Sequence, residues 1–308
     1  MIHVVTKGGM GNQMFQYAFA LQVQRLNQAD TIYLNGGWHL FMNDKRTLSL
    51  GHFCLNDKVV EVSRVKRFFL LFSFFVATFR SLGLMASISF LKQHKEVLEK
   101  YDEHLFEQGV YFTPKIYFVP QVRAGKGNKH LCGYYQSSAV VEGIEEQLKA
   151  SFFVKTPASD ANAKLLAEIE SQNAVCLHVR RGDYRLFPQL QVCNEYYYYE
   201  AVKQAVAELE SPVFYLFSTG HEDIEWVRQN YKFEADIRYV DMDNPDYEEI
   251  RLMMACKHFI ISNSTFSWWA AVLSNRAENK RVWMPEEWLK GVDVQMGFPS
   301  WTIVPTHP

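Results

Sequence analysis

From Ala174 onward, short apolar runs alternate with stretches of helical pattern, and this rhythm restricts the fold more than any other feature. The runs are Ala174–Val179, Val213–Ser218, Ile237–Tyr239, His258–Ser262 and Arg281–Met284. Helical stretches fall between them at Glu195–Leu209, Glu222–Asn230, Asp246–Ala255 and Ser267–Ser274. Strands of a parallel sheet are buried on both faces, so they read as continuous apolar runs, and each needs a crossover to reach the next. The alternation predicts an α/β fold with a doubly wound parallel sheet and right-handed crossovers. The start of the chain repeats the theme. Ile2–Thr6 is a β-branched strand, Lys7 to Gln13 a glycine-rich loop, and Gln13 to Leu26 a helix. Thr156-Pro157 is the best linker candidate, which divides the chain into domains at 1–156 and 157–308.

The strand Ala174–Val179 ends in Arg180, Arg181, Gly182, Asp183 and Tyr184. In open α/β sheets, ligands bind at the carboxyl ends of strands. Two arginines there suit an anion, because each guanidinium presents a rigid fork of donors that matches phosphate. Ordinary surface salt bridges are the bland alternative. A second exit, Ser262-Asn263-Ser264-Thr265-Phe266-Ser267, gathers hydroxyls where a helix begins, and such a terminus attracts anions through free amides and dipole. N-capping explains the same hydroxyls, and both readings hold together. Asp241-Met242-Asp243 has the spacing of a metal-binding pair of carboxylates, but it precedes a helix, where capping accounts for it. The loop Gly8-Gly9-Met10-Gly11 lacks the spacing of a dinucleotide fingerprint, and no acidic residue ends a second strand to hold a ribose, so a nicotinamide cofactor is excluded.

The net charge of the chain is -2, so it is no general nucleic-acid binder, and anion binding must come from local arginines. Its 5 cysteines show no paired spacing, which predicts reduced thiols and no zinc site.

Three stretches together resemble the α-1,2-fucosyltransferases, glycosyltransferase family 11. They are His178-Val179-Arg180-Arg181-Gly182-Asp183-Tyr184, Gly8 to Ala18 (GGMGNQMFQYA), and Ser262 to Ala271 (SNSTFSWWAA). The resemblance implies a GT-B architecture, two Rossmann-like domains facing across a cleft. It implies transfer of L-fucose from GDP-fucose to the 2-hydroxyl of a galactoside with inversion, without a metal or other cofactor. Arg180 would stabilise the leaving diphosphate, with Asp183 the candidate base and Glu195 and Glu222 as alternatives. His178, Arg181, Ser218, Asn263, Ser264, Thr265 and Ser267 would bind the donor. Gly8, Gly9, Gly11, Asn12 and Gln13 would form a loop at the cleft. Where the family usually shows Phe-Ser-Asp-Asp, this chain has Phe217-Ser218-Thr219-Gly220, which leaves Asp223 displaced. A fucosyltransferase of another linkage, or a nucleotide-sugar-binding protein without transfer, remain alternatives.

The acceptor partner would be a galactose-terminated oligosaccharide or glycolipid. With a strand at its start in place of a signal or anchor, the expected location is the cytoplasm, peripheral at the inner face of a bacterial membrane. Phe68–Ser89 is rich in phenylalanine but interrupted by Arg80. It reads as a buried helical hairpin or as an amphipathic helix docked on lipid. Lys92–Lys100 reads as a helix, and the C-terminal tail as a segment that packs back on the first domain.

Overall fold

The computed structural model describes residues 1–27, 31–36, 47–56, 59–61, 64–82, 105–113 and 115–308. The chain divides into two compact units, Met1–Phe153 and Val154–Pro308. Each is an α/β unit built on a parallel sheet, the pairing expected of the GT-B class.

The first unit orders its strands β3-β2-β1-β5-β4, with β1 Ile2–Val5, β2 Ile32–Asn35, β3 Val59–Glu61, β4 Val110–Phe112 and β5 Lys129–Cys132. β1 is central, pairing β2 from Ile2 opposite Ile32 and β5 from Ile2 opposite Lys129. Helix α1, Met10–Leu26, follows the glycine loop and buries Phe15, Tyr17, Phe19 and Leu21. Helix α2, Arg64–Leu82, covers the first part of the phenylalanine-rich stretch. It buries Leu70, Leu71 and Phe74, but Phe68, Phe69 and Phe72 stay exposed at 63%, 64% and 60%. No helix among the described residues is long and apolar enough to cross a membrane. The second half of that stretch and the expected helix Lys92–Lys100 lie outside the described residues. Helix α3, Glu145–Ser151, closes the unit.

The second unit opens with α4, Asp160–Ser171, whose N-cap Ser159 accepts from the Asn162 amide. Its elements then alternate as the apolar runs predict: β6 Ala174–His178, α5 Glu195–Glu208, β7 Val213–Phe217, α6 Gly220–Asn230, β8 Ile237–Tyr239, α7 Asp246–Met254, β9 His258–Ile260, α8 Thr265–Leu273 and β10 Val282–Pro285. The tail adds β11, Thr302–Val304, which pairs in parallel with β10. Within this unit Phe298 and Trp301 of the tail pack on Trp268 of α8, whose Nε1 donates to the Met296 carbonyl at 2.7 Å.

The second sheet reads β11-β10-β9-β6-β7-β8. The chain starts in the middle at β6, builds outward through β7 and β8, then returns to β9 on the other side. Val175, Leu177, Tyr197, Tyr198, Phe214 and Leu216 form the core between this sheet and α5. Such side chains contribute about 1.5–3 kcal/mol each when fully buried, and this core fixes where the strand exits lie.

Candidate active site

The strand order reverses between β6 and β9, and ligands of open α/β sheets sit at that reversal, outside the carboxyl ends of the strands. The two motifs singled out in the sequence leave β6 and β9, so they meet at this point.

Arg180 is held on three sides. Its Nη2 donates to Asp183 Oδ1 at 2.6 Å, and its Nη1 to Thr219 Oγ1 at 3.0 Å. Its guanidinium lies 5.1 Å from the centre of the Tyr184 ring. The Nε is buried with no hydrogen-bond partner among the described residues. Tyr184 in turn donates its hydroxyl to the Asn263 carbonyl at 3.1 Å, which ties the β6 exit to the β9 exit. The Asp183 carboxylate is partly exposed, so the ion pair is worth roughly 1 kcal/mol or less and serves to orient the arginine. An arriving diphosphate would compete with Asp183 for the same fork.

Arg181 turns away from Arg180. Its guanidinium lies 3.2 Å from the centre of the Trp226 ring on α6, and its Nε 3.5 Å from Asp223 Oδ1. That Nε is buried without a hydrogen bond, so the contact with Asp223 is one of charge alone. The displaced Asp223 is thus engaged with the turn after β6, its Oδ2 accepting the Gly182 amide at 2.7 Å.

Five further residues expected at the donor are buried, and their polar atoms are used within the unit. Ser218 donates to the Val179 carbonyl at 2.7 Å. His178 Nδ1 shares a 2.9 Å hydrogen bond with Ser262 Oγ, and burial, reinforced by the charge of Arg180, lowers its pKa to about 3. At neutral pH it is therefore an uncharged imidazole. Ser267 donates to the Ser264 carbonyl at 3.3 Å. Asn263 donates to the carbonyls of Leu190 and Trp288, at 2.9 and 3.1 Å. Ser264 caps α8 by accepting from the Phe266 amide, and Thr265 begins the helix. With no acidic side chain in its first turn, the α8 terminus keeps its positive end for an anion.

Glu249, on the first turn of α7, is a residue that the sequence reading passed over. Burial pushes its pKa up to about 7, opposed by Arg180 and assisted by Asp246. In sequence it looks like one more carboxylate at a helix start. Glu248 beside it pairs with Arg251 at 3.2 Å.

One group among the described residues has the makings of a cation site. Asp241 accepts from His221 Nδ1 at 2.8 Å, and with Glu225 their ligand atoms lie within 4.8 Å of one another. Arg228 already occupies Glu225 at 2.7 Å.

In the first unit, β1 and β5 flank the corresponding reversal. Gly8 has φ +77, and a Cβ there would meet Asn12 Nδ2 at 2.4 Å, so only glycine fits. Gly9 is the N-cap of α1 and has open space where a Cβ would be, and Gly11 is buried in the first turn. Gln13 ties the loop down, donating to the carbonyls of Gly8 and Thr47 and accepting from the Ser49 amide. Asn12 accepts from Gln136 at 2.8 Å. Of the aromatic pair after β5, Tyr135 is core, stacked on Phe19, while the Lys7 ammonium lies 4.6 Å from the Tyr134 ring.

The family described as Glycosyl transferase family 11 matches residues 1–282. The Alpha-1,2-colitosyltransferase of Escherichia coli is 28% identical over 282 residues, 87% of this chain and 86% of that one. The O-antigen biosynthesis glycosyltransferase WbnK of Escherichia coli is 26% identical over 92% of this chain and 93% of its own. The crystal structure of fucosyltransferase NodZ from Bradyrhizobium aligns with a TM-score of 0.48 at 14% identity, covering 88% of this chain and 92% of that one. With a match from the first residue to the start of β10, and both strand-exit motifs inside it, the chain belongs to glycosyltransferase family 11.

Proposed function

We propose that this glycosyltransferase moves L-fucose from GDP-β-L-fucose to the 2-hydroxyl of a galactoside, with inversion and without a metal ion. The observation that carries the reading is Arg180 held at the strand-order reversal against Tyr184, whose hydroxyl ties this exit to the β9 exit that leads into α8. The second unit takes the donor, and the first unit serves the acceptor side.

The acceptor hydroxyl attacks the anomeric carbon on the face opposite GDP. The bond from that carbon to the β-phosphate oxygen breaks, and its electron pair stays on GDP. Arg180 and the first amides of α8 meet the charge that builds there. A preorganised donor of this kind contributes roughly 10²–10³-fold to the rate. Asp183 takes the acceptor proton once the diphosphate has drawn Arg180 away from it. Glu249 is the second candidate, favoured by its titration near neutrality.

The acceptor is a galactose-terminated oligosaccharide or glycolipid. The O-antigen role in the name of one relative supports a bacterial surface polysaccharide made at the inner face of the membrane. The exposed Phe68, Phe69 and Phe72 of α2 support peripheral contact with that membrane.

The test is GDP release from GDP-fucose in EDTA, with and without β-galactosides. GDP-colitose is run in parallel, because one relative is named for that sugar. Acceptor-dependent release from GDP-fucose that Arg180→Ala abolishes is the expected result. Failure to bind GDP-fucose at all overturns the reading, and faster release from GDP-colitose overturns the choice of donor.

A further inference from the structure

Four consecutive residues after β6 are each held by the segment Ser218–Trp226. Ser218 donates to the Val179 carbonyl at 2.7 Å. Thr219 accepts from Arg180 at 3.0 Å. The Trp226 ring lies under Arg181 at 3.2 Å. Asp223 accepts the Gly182 amide at 2.7 Å. Asp223 is the centre of this clasp: one oxygen takes Gly182, the other lies 3.5 Å from Arg181, and the side chain is buried. Gly182 has φ +37, and a Cβ on it would meet Thr219 Cγ2 at 2.9 Å, so the turn is pressed against the same segment. Glycine takes such a φ without steric cost, which is what lets the turn lie so close to Thr219.

We infer that Asp223 is a positioning residue for Arg180: by fixing Gly182 and Arg181 from α6, it sets where the Arg180 guanidinium points. Neither oxygen of Asp223 bonds to Arg180 itself. Its effect passes through the backbone of the two residues that follow. Misplacing a reacting group by 1 Å costs on the order of 10²-fold in rate. The chemistry of the segment fits this task. A carboxylate can satisfy an amide and a guanidinium at once, whereas an amide side chain in its place serves the first and leaves the second without a counter-charge. The inference rests on the reading of Arg180 as the group that meets the diphosphate.

The experiment is a double-mutant cycle on the whole chain, with Asp223→Ala and Arg180→Lys singly and together. Two readouts are taken, kcat for GDP release from GDP-fucose and the Kd for GDP, with thermal melting alongside. Asp223→Ala is expected to lower kcat about 100-fold in the wild-type background and less than about threefold beside Arg180→Lys, because a residue that acts through another is non-additive with it. Asp223→Asn, which keeps the acceptor for Gly182, is expected to lose about tenfold, with the same non-additivity. It stands in if the alanine variant does not fold. Equal losses in both backgrounds, a loss that follows the unfolded fraction, or wild-type turnover in Asp223→Ala overturns the inference. If Arg180→Lys turns over and binds GDP like wild type, the reading of Arg180 fails and this inference falls with it. If Arg180→Lys is impaired while Asp223→Ala is not, the inference alone fails.

Discussion

The Arg180 guanidinium and the Asp183 carboxylate meet at 2.6 Å within one short turn, so each sets the other's charge environment. Removing the carboxylate frees the arginine for phosphate. Asp183→Asn is expected to leave the donor KM unchanged or lower, while kcat falls on the order of 10²–10³-fold through loss of the base. Steady-state kinetics with varied GDP-fucose separates the two effects, and an unchanged kcat removes Asp183 from the proton transfer.

Glu249 titrates at about 7, so its carboxylate form grows across the neutral range. The pH profile of kcat/KM is expected to bend near pH 7, and Glu249→Gln to erase that bend. Stability moves the opposite way. A folded pKa raised above the unfolded 4.5 means that stability is full below pH 4.5 and is lost as pH rises through 7. The Gln variant should therefore gain more in melting temperature at pH 8 than at pH 5.

His3 and His130 face each other on β1 and β5, with Nδ1 atoms 3.2 Å apart and Asn35 donating to His3 Nε2 at 2.9 Å. Burial, aided by neighbouring positive charge, lowers their pKa values to about 3 and about 4. The unfolded chain takes up these protons first, near pH 6.5. Stability is therefore complete above pH 6.5 and falls as the solution is acidified toward pH 4. Each such histidine adds a slope of about 1.4 kcal/mol per pH unit. Denaturant melts from pH 7 to 4.5 should show a shallower slope in His3→Asn than in wild type.

Gly182→Ala places a methyl group 2.9 Å from Thr219 Cγ2 in a left-handed backbone. Thr219 is also the partner of Arg180, so the methyl pushes on the arginine's support. A loss of kcat of about 100-fold is expected, with a stability cost of about 1–2 kcal/mol. Adding Thr219→Ser, which deletes the clashing carbon and keeps the hydroxyl, should restore part of the rate. No recovery would mean that the backbone strain alone is responsible.

The strands of the second unit were legible because apolar runs such as Val213–Phe217 are bounded by turn residues. β11 was not, since its three residues carry no periodic signal and Ile303 is exposed. The two exits that form the site could be read from charge and hydroxyl content. Which way each side chain turns could not. His178 and Arg180 sit two residues apart at one strand exit, yet the imidazole is buried on Ser262 while the guanidinium reaches Asp183 and Thr219. Arg181 is drawn sideways by Trp226, a residue 45 positions later, whose role depends on the tertiary fold. Glu249 was hidden because helix starts favour carboxylates for a purely local reason.

β1 lies at the centre of its sheet, with β2 pairing on one side and β5 on the other. His3 thus waits through synthesis until His130 has been made before its second edge can be covered. At 5–20 residues per second this is on the order of ten seconds or more, during which a β-branched edge stands open. Contacts of such long sequence separation also slow the folding that follows. The arrangement gives the first unit a late-closing sheet, so its yield on expression should depend on how long that edge is shielded while the intervening chain is being translated.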